Sequence, residues 1–430
     1  MRVGDNFCPG ILHAVPAKDG LLLRIRVPGG LISAEELCAI ARLSSAYSDG
    51  QIEITSRANI QLRAIRDEAL SPVVQGLRTA GLLPSPGHDR VRNIMTSPLA
   101  GLDAEELVDT RPLVRELDER FLADPVFMDL HPKFSFGIDG GGRWFSRETD
   151  DVSLRAVKVG DGIVFRLSIG GVSSGFGVGA DRVVDCMLEA ARMCLRVCKE
   201  LEIPVRARAL LASPGAVERV LEGLSALLVP CVGSEDGRAF LEAPLGVQAM
   251  AGSEFVSVVP SVPLGRITAG QAHLMAGLAK EWSGDLRLAP WRGVVLGAIP
   301  RGAADGVVSS LRAVGLPDDG RDGYRGLSAC AGNTGCEASL ADVRGDAVRL
   351  ADSLASSLAG RDARPGWTVN ISGCEKQCAM RKGATVELVA TELGYSVKIE
   401  GVTVPSVCSS NSAIEAIVAH HARLDPEAYS

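Results

Sequence analysis

The chain has 430 residues, 46% hydrophobic and 23% charged, with a formal net charge of −7. That length builds about two to four structural units. The acidic balance excludes nucleic-acid binding by bulk charge, and 4% aromatic residues leave few platforms for base stacking. No apolar run is long enough to span a membrane. The opening MRVGDNFCPG lacks an apolar leader, so 11 cysteines imply a reducing, cytoplasmic setting where thiols bind metals or stay free.

Residues 1–20, with Cys8, Pro9 and Gly10, show little periodicity and read as an N-terminal arm, either folded over a ligand or loose. Residues 21–85 carry a β-α-β-β-α order, a ferredoxin-like half-domain. Strand LLLRIRV breaks at Gly29 and Gly30, and Ser33 with Glu36 forms a capping box for the next helix. Asp49 and Gly50 turn the chain into QIEIT, SRANIQLRAI follows, and helix LSPVVQGLRTAG closes at Gly81.

Residues 86–245 read as an α/β unit. RNIMTSPLAGLDAEELVDTRPLVRELDERFLAD is expected to be mostly helical. The strand-like VFMDLHPKFSFGIDGG, VSLRAVKV and IVFRLSI follow, then a helix at 181–201. Residues 202–254 look helical and read as a linker insertion. The half-domain pattern then returns at 246–318. Ile32 matches Ile267, Arg57 matches Arg292 and Gly81 matches Gly315, at offsets of 234 or 235. So constant an offset marks a duplication, and two half-domains can pair their open sheet edges. Residues 319–430 form the second α/β unit. The expected fold class is α+β: duplicated ferredoxin-like half-domains pairing into one central domain, each followed by an α/β domain.

Four cysteines in that last unit carry the chemistry. Cys330 and Cys336 are spaced C-x5-C, and Cys374 and Cys378 C-x3-C after the strand-like WTVNIS. Four thiolates from two loops hold either a tetrahedral zinc or a cubane [4Fe-4S] cluster. Zinc knuckles usually use C-x2-C, so the wider loops favour the larger object. Gly332, Gly335 and Gly373 leave room for backbone N–H groups to approach an anionic cluster. The matching loops of the first unit hold no cysteine. Cys186, Cys194 and Cys198 lie on an apolar helix and read as core thiols, as do Cys38, Cys231 and Cys408. His420 and His421 read as surface residues, and His131 is the histidine placed beside a candidate site.

Basic residues concentrate in the first copy: Arg24, Arg26, Arg57, Arg63, Arg90, Arg92 and Lys133. Alternation puts Arg24 and Arg26 on one strand face. Each bidentate arginine–carboxylate bond contributes about 1.5–3 kcal/mol before ordering costs, so three such bonds sustain micromolar binding of a polycarboxylate. Copy two replaces the Gln61 position with an apolar residue near Leu296, so that copy is expected to face its own cluster and the domain interface.

The cysteine signature resembles that of the sulfite and nitrite reductase superfamily, and the chain is most similar to its precorrin-3B synthase branch, whose opening Cys8-Pro9-Gly10 also resembles. In the superfamily the fourth cysteine bridges a [4Fe-4S] cluster to the iron of sirohaem. TSRANIQLR resembles the segment that grips tetrapyrrole carboxylates, which implies that role for Thr55, Arg57, Asn59, Gln61 and Arg63. RVRNI resembles the segment supplying an anion-binding arginine, here Arg92 followed by Asn93. HPKF resembles P-x-K-F-K, in which two lysines beside the iron bind and protonate sulfite or nitrite. Lys133 matches the first lysine and Ser135 replaces the second.

What the resemblance implies is O2-dependent hydroxylation of precorrin-3A at C20 with closure of a γ-lactone. Arg92 and Lys133 would be catalytic, and Arg24, Arg26, Thr55, Arg57, Asn59, Gln61, Arg63 and Asn93 would bind substrate. Electrons would come from NAD(P)H indirectly, through a reductase or ferredoxin and the cluster. A mononuclear non-haem iron is also implied, with no ligand set standing out. The alternatives are a sirohaem-dependent sulfite or nitrite reductase, a zinc-stapled binding module without catalysis, and an electron-transfer protein without substrate.

Overall fold

The computed structural model describes residues 8–144, 149–231, 243–250, 254–282, 284–358, 366–380, 383–404 and 409–423. The first half-domain runs β1 (Val15–Ala17), β2 (Gly20–Ile25), β3 (Leu31–Ile32), α1 (Ala34–Tyr47), β4 (Gln51–Ile54), β5 (Ile60–Ile65) and α2 (Leu70–Thr79). The first α/β unit follows with β6 (Ile94–Thr96), α3 (Arg111–Ala123), β7 (Phe136–Asp139), β8 (Val152–Val159), β9 (Gly162–Ile169) and β10 (Val172–Val178). It ends with α4 (Val183–Glu200), α5 (Ala207–Leu211), α6 (Ala216–Leu224) and β11 (Val229–Pro230).

The second half-domain comprises β12 (Gly246–Ala249), β13 (Phe255–Val259), β14 (Arg266–Thr268), α7 (Ala269–Trp282), β15 (Asp285–Ala289), β16 (Gly293–Pro300) and α8 (Ala304–Ala313). The second unit holds β17 (Leu327–Ala329), α9 (Gly332–Gly335), α10 (Val343–Leu358), β18 (Val369–Ser372), β19 (Val386–Thr391), β20 (Gly394–Ile399), β21 (Val402–Thr403) and α11 (Ser410–Arg423).

The two half-domains exchange short strands. The first sheet has the order β1-β2-β5-β4-β14 and the third β12-β13-β16-β15-β3. Thus β14 closes the edge at β4, with Ile267 opposite Ile52, and β3 closes the edge at β15, with Ile32 opposite Leu286. Each exchange covers an edge that would otherwise present unpaired backbone groups. Both halves share one core, in which Leu37, Ile40, Met275 and Ala276 are fully buried. Ser33 and Glu36 make the expected capping box, with N–H···O distances of 3.0 and 2.8 Å. Thr268 and Gln271 repeat it at the start of α7, at 3.1 and 2.7 Å.

Register corrects one detail of the repeat. Ile52 and Leu286 occupy equivalent places, each facing the exchanged strand. The offset across β4–β5 and β15–β16 is therefore 234, which sets Ala58 (φ 51°) opposite Arg292 (φ 65°), and Ala64 (φ 53°) opposite Ala298 (φ 55°). The counterpart of Arg57 is Trp291, not Arg292. The counterpart of Gln61 is Val295, the neighbour of Leu296.

Other expectations change in the connecting segments. Residues 97–110 are turns, because Asp103 and Asp109 accept backbone N–H groups two residues on, at 3.0 Å each, in competition with a helix. Residues 125–129 form a 3-10 turn, leaving Phe136–Asp139 as the strand of that stretch. Residues 207–224 are no loose linker, since Leu210, Val220 and Leu224 enter the core built on α4. The described part of the arm is packed, with Ile11 1% exposed. His421 is buried edge-on to Trp367 at 4.5 Å between ring centroids, not at the surface.

Cys186, Cys194 and Cys198 are buried as expected, and Cys231 with them, while Cys38 is half-buried against the central core. Cys408 lies outside the described residues. Among the described residues no helix is long and apolar enough to cross a membrane.

Gly30 tests the strand exchange. Its φ is +68°, and a Cβ there would lie 2.3 Å from the carbonyl oxygen of Leu288. Gly30→Ala is expected to lower the unfolding free energy by about 2 kcal/mol or more. Gly50→Ala (φ +73°, nothing within 4 Å) should cost less, and urea denaturation of both variants measures the difference.

Candidate functional site

Strands β17 and β18 are parallel neighbours, with Leu327 opposite Val369 and Ala329 opposite Ile371. Parallel strands bring their carboxyl ends side by side, so the loops that leave them meet. Cys330 follows β17 directly and Cys374 follows β18 by two residues. Cys336 and Cys378 come from the same two loops, and all four thiols line one cavity. The backbone N–H of Gly373 donates to Cys330 Sγ at 3.3 Å, and Cys330 N–H donates to the Ile371 carbonyl at 3.2 Å.

The glycines beside the thiols are sterically required. A Cβ on Gly373 would sit 1.8 Å from Ser339 Oγ, and one on Gly335 would meet Arg63 Nη2 at 2.8 Å. Gly332 has φ +68°. Among the described residues no group of three or more His, Cys, Asp or Glu side chains closes on a single metal-ion position, for zinc or for a mononuclear iron. Four thiols ranged around a cavity wall, with an amide N–H aimed at one sulfur, fit a cubane cluster.

The opposite wall is the open face of the first sheet. Arg24 and Gln61, directly paired across β2 and β5, meet there, with Arg24 Nε 3.1 Å from Gln61 Oε1. Gln61 Nε2 donates to Glu53 Oε2 at 3.3 Å. Glu53 also pairs with Arg344 of α10 and with Arg266 of β14, the latter at 3.5 Å. Arg292 reaches across to the Ala379 carbonyl beside Cys378. Burial pushes the Arg24 and Arg266 guanidinium groups down from their ordinary value, and neighbouring arginines push the same way: Arg57 on Arg24, Arg344 on Arg266. Arg266 also meets Asp49 at 3.3 Å and Arg63 meets Asp19 at 2.9 Å, so Arg24, held by the neutral Gln61 amide, is the buried cation that an anionic guest would relieve.

The expected substrate residues divide on inspection. Arg24, Thr55, Gln61 and Arg63 line the cavity. Thr55 Oγ1 also accepts the N–H of Asn59 at 3.1 Å and so shapes the turn. Asn59 Oδ1 accepts Val27 N–H at 2.9 Å, which ties that turn to the end of β2. Arg26 is 3% exposed and spends its guanidinium on Asn93 Oδ1 (2.8 Å), the Pro9 carbonyl (3.0 Å) and the Arg90 carbonyl (3.1 Å). Asn93 Nδ2 donates to the carbonyls of Pro132 and Phe134 at 3.0 and 2.9 Å. Arg26, Asn59 and Asn93 thus build the frame behind the wall.

Arg57 pairs with Asp150 at 3.2 Å, and Arg92 with Asp118 through two bonds of 2.6 Å. The backbone N–H of Lys133 bonds His131 Nδ1 at 3.0 Å. None of Arg57, Arg92, Lys133 and His131 is among the lining residues.

Sequence reasoning passed over Arg266, Arg344 and Glu53. Arg266 stands where the first copy has Leu31, and Glu53 stands where the second copy has the oppositely charged Arg287. Either exception in a duplicated pattern was a readable signal.

The chain matches the nitrite/sulfite reductase ferredoxin-like half domain at residues 13–80 and 248–314, and the nitrite and sulphite reductase 4Fe-4S domain at 87–201. The second match falls on the first α/β unit, whereas the four thiols sit on the second. A precorrin-3B synthase from Sinorhizobium sp is 28% identical over 97% of this chain and 88% of its own length. A ferredoxin–nitrite reductase from Synechococcus elongatus is 28% identical over 90% of this chain and 78% of its own. Sulfite reductase [ferredoxin] 2 from Mycolicibacterium paratuberculosis is 28% identical over 85% and 69%. The solved structure of the Mycobacterium tuberculosis NirA protein superposes with a TM-score of 0.77 over 94% of this chain and 82% of that one, at 22% identity, and shows the fold. With duplicated half-domains, exchanged strands and domain matches over more than half its length, the chain belongs to the nitrite and sulfite reductase superfamily.

Proposed function

We propose that the chain is a precorrin-3B synthase, which hydroxylates precorrin-3A at C20 with O2 and closes an acetate arm to a γ-lactone. The observation that carries this reading is the fate of the positions matching a reductase's oxyanion-binding cations. Arg92, at the anion-binding arginine position, is held by Asp118. Ser135, at the second lysine position, is fully buried. Nitrite and sulfite reductases are as close in sequence as the Sinorhizobium relative, so identity alone does not choose between the two activities.

A polycarboxylate guest fits the arginine wall. Arg24, held by Gln61, lines the cavity together with Arg266 and Arg344, which share Glu53, and Arg292, which reaches the Ala379 carbonyl, and a guest's carboxylates would compete for these guanidinium groups. Three charge-assisted contacts of about 1.5–3 kcal/mol each suffice for micromolar binding after ordering costs. Apolar Val15, Leu22 and Ile54 offer contact to a flat ring. A [4Fe-4S] cluster held by Cys330, Cys336, Cys374 and Cys378 would supply electrons singly beside that ring. The overall step puts one oxygen atom of O2 into the substrate and releases the other as water, with two electrons and two protons from the donor. The chain's part is to bind the carboxylate arms, to orient the macrocycle edge and to keep the guest beside the thiol loops.

Anaerobic purification with iron and sulfide counts tests the reading, followed by precorrin-3A, O2 and a reductant. Gain of one oxygen atom by mass spectrometry is the expected result. A Soret band from bound sirohaem, with turnover of nitrite or sulfite and unchanged precorrin-3A, would overturn it. Cys374→Ser is expected to lose most of the iron and sulfide, as read by colorimetric assay.

Burial pushes the Asp150 carboxyl up to about 6, against the opposing pull of Arg57. An unfolded aspartate titrates near 3.9. Between about pH 4 and 6 the folded chain therefore holds the extra proton, and stability falls as pH rises through that window. Asp150→Asn should flatten this part of the slope in urea denaturation run as a pH series.

A further inference from the structure

We propose that Arg63 and Asp19 form a charge pair that sets the reduction potential of the cluster held by the Cys330, Cys336, Cys374 and Cys378 thiols. This rests on the cluster reading above, but not on which tetrapyrrole occupies the cavity.

Arg63 stands on β5 with its side chain 9% exposed. Its Nε and Nη2 donate to the two oxygens of Asp19 at 2.9 and 3.0 Å. The same Nη2 donates to the carbonyl of Gly335, the residue before Cys336. The close approach depends on Gly335 lacking a side chain, since a Cβ there would lie 2.8 Å from Arg63 Nη2 and 3.0 Å from Asp19 Oδ2. A buried guanidinium is thus packed against the peptide that leads into a cluster ligand.

Burial alone would push the Arg63 guanidinium down. Asp19 first, then Glu53 and Cys336, reverse that and hold it above its ordinary value. The other charges facing it are Arg266, which lies within its electrostatic reach, and Arg344, which shares Glu53 with Arg266.

Reduction adds one negative charge to a thiolate-bound cluster, so a nearby cation favours the reduced form and a nearby anion the oxidised form. In the native pair the two charges largely offset. Removing either one leaves the other beside Cys336, and the two removals act in opposite directions. A residue that merely buttressed the loop would produce no such signed pair of effects.

The test is a redox titration followed by electron paramagnetic resonance on the full chain, purified anaerobically, with iron and sulfide counted in every sample. Arg63→Gln is expected to shift the midpoint potential to more negative values and Asp19→Asn to more positive values. Arg63→Lys, which keeps the charge but loses the fork, should stay near wild type. If Arg63→Gln loses its cluster, Asp19→Asn, which leaves the Gly335 contact intact, decides alone by the sign of its shift. Loaded variants with wild-type potentials, or shifts of one sign in both, overturn this inference and leave the proposed activity standing. A wild-type chain free of iron and sulfide overturns the cluster reading and this inference with it.

Discussion

Two short edge pairings, Leu31–Ile32 against β15 and Arg266–Thr268 against β4, fix the geometry of everything that follows. A sheet edge left open is costly, and here each half-domain closes the other's. The two sheets are thereby locked about one shared core, and the freedom to slide or rotate is lost. Arg266 reaches the first sheet because its strand is one of those exchanged. Without that exchange the cavity wall would lose a cation contributed by the second half. The β17–β18 loops of the second unit then meet the first sheet, and Arg344 on Glu53 and Arg63 on Gly335 tie the contact.

The electrostatics of this contact are uneven by construction. Away from the cavity, arginines are matched: Arg57 by Asp150, Arg92 by Asp118, Arg206 by Asp151. Around the cavity Arg63 is matched by Asp19, and Arg266 and Arg344 share Glu53, with Asp49 also on Arg266, while Arg24 bonds the neutral Gln61 amide. Burying a cation among neutral groups costs several kcal/mol, so Arg24 is the place where a ligand's charge would be most favourable. The four thiols on the far wall make the contrast sharper. As thiolates they are anions; the backbone N–H of Gly373 meets Cys330 Sγ, and the Arg63 guanidinium lies on the Gly335 carbonyl next to Cys336.

Much of this arrangement was legible from the residues. The Ser33–Glu36 box, the alternating strands and the constant offset between copies are local signals, and local signals survive without a structure. The convergence of Cys330, Cys336, Cys374 and Cys378 followed from spacing and from the strand before Cys374. The strand exchange was not legible, because segments of two or three residues such as Leu31–Ile32 carry no periodicity. Nor were the partners of the arginines. Arg57, Arg92 and Arg26 sit in segments of equal promise, and their fate depends on Asp150, Asp118 and Asn93, which arrive from elsewhere in the chain. The error of one residue in pairing Arg57 with Arg292 has the same origin. Two arginines in similar loops look equivalent in sequence, but hydrogen-bond register and the left-handed backbone at Ala58 and Arg292 decide the match.

That corrected register explains why a duplicated scaffold carries an asymmetric pair of faces. At the places of Arg24, Arg57, Gln61 and Arg63 the second sheet has Val259, Trp291, Val295 and Gly297. Val259 and Val295 are fully buried in a small apolar cluster with Leu99, Leu102 and Trp144, against which Trp291 packs. Trp144 and Trp291 meet edge to face with centroids 4.7 Å apart. Gly297 makes room for Leu102, whose Cδ1 would lie 2.7 Å from a Cβ there. Leu99, Leu102 and Trp144 come from the loops after β6 and β7, the counterparts of the thiol loops. Where one copy sets guanidinium groups opposite thiols across a gap, the other sets valines opposite leucines and indoles in contact. The Glu53 place is also inverted in charge: Arg287 stands there, paired with Asp285. Duplication supplied two equivalent hollows. In the second copy the hollow is filled by a close-packed apolar cluster, which leaves the first copy's hollow as the open one.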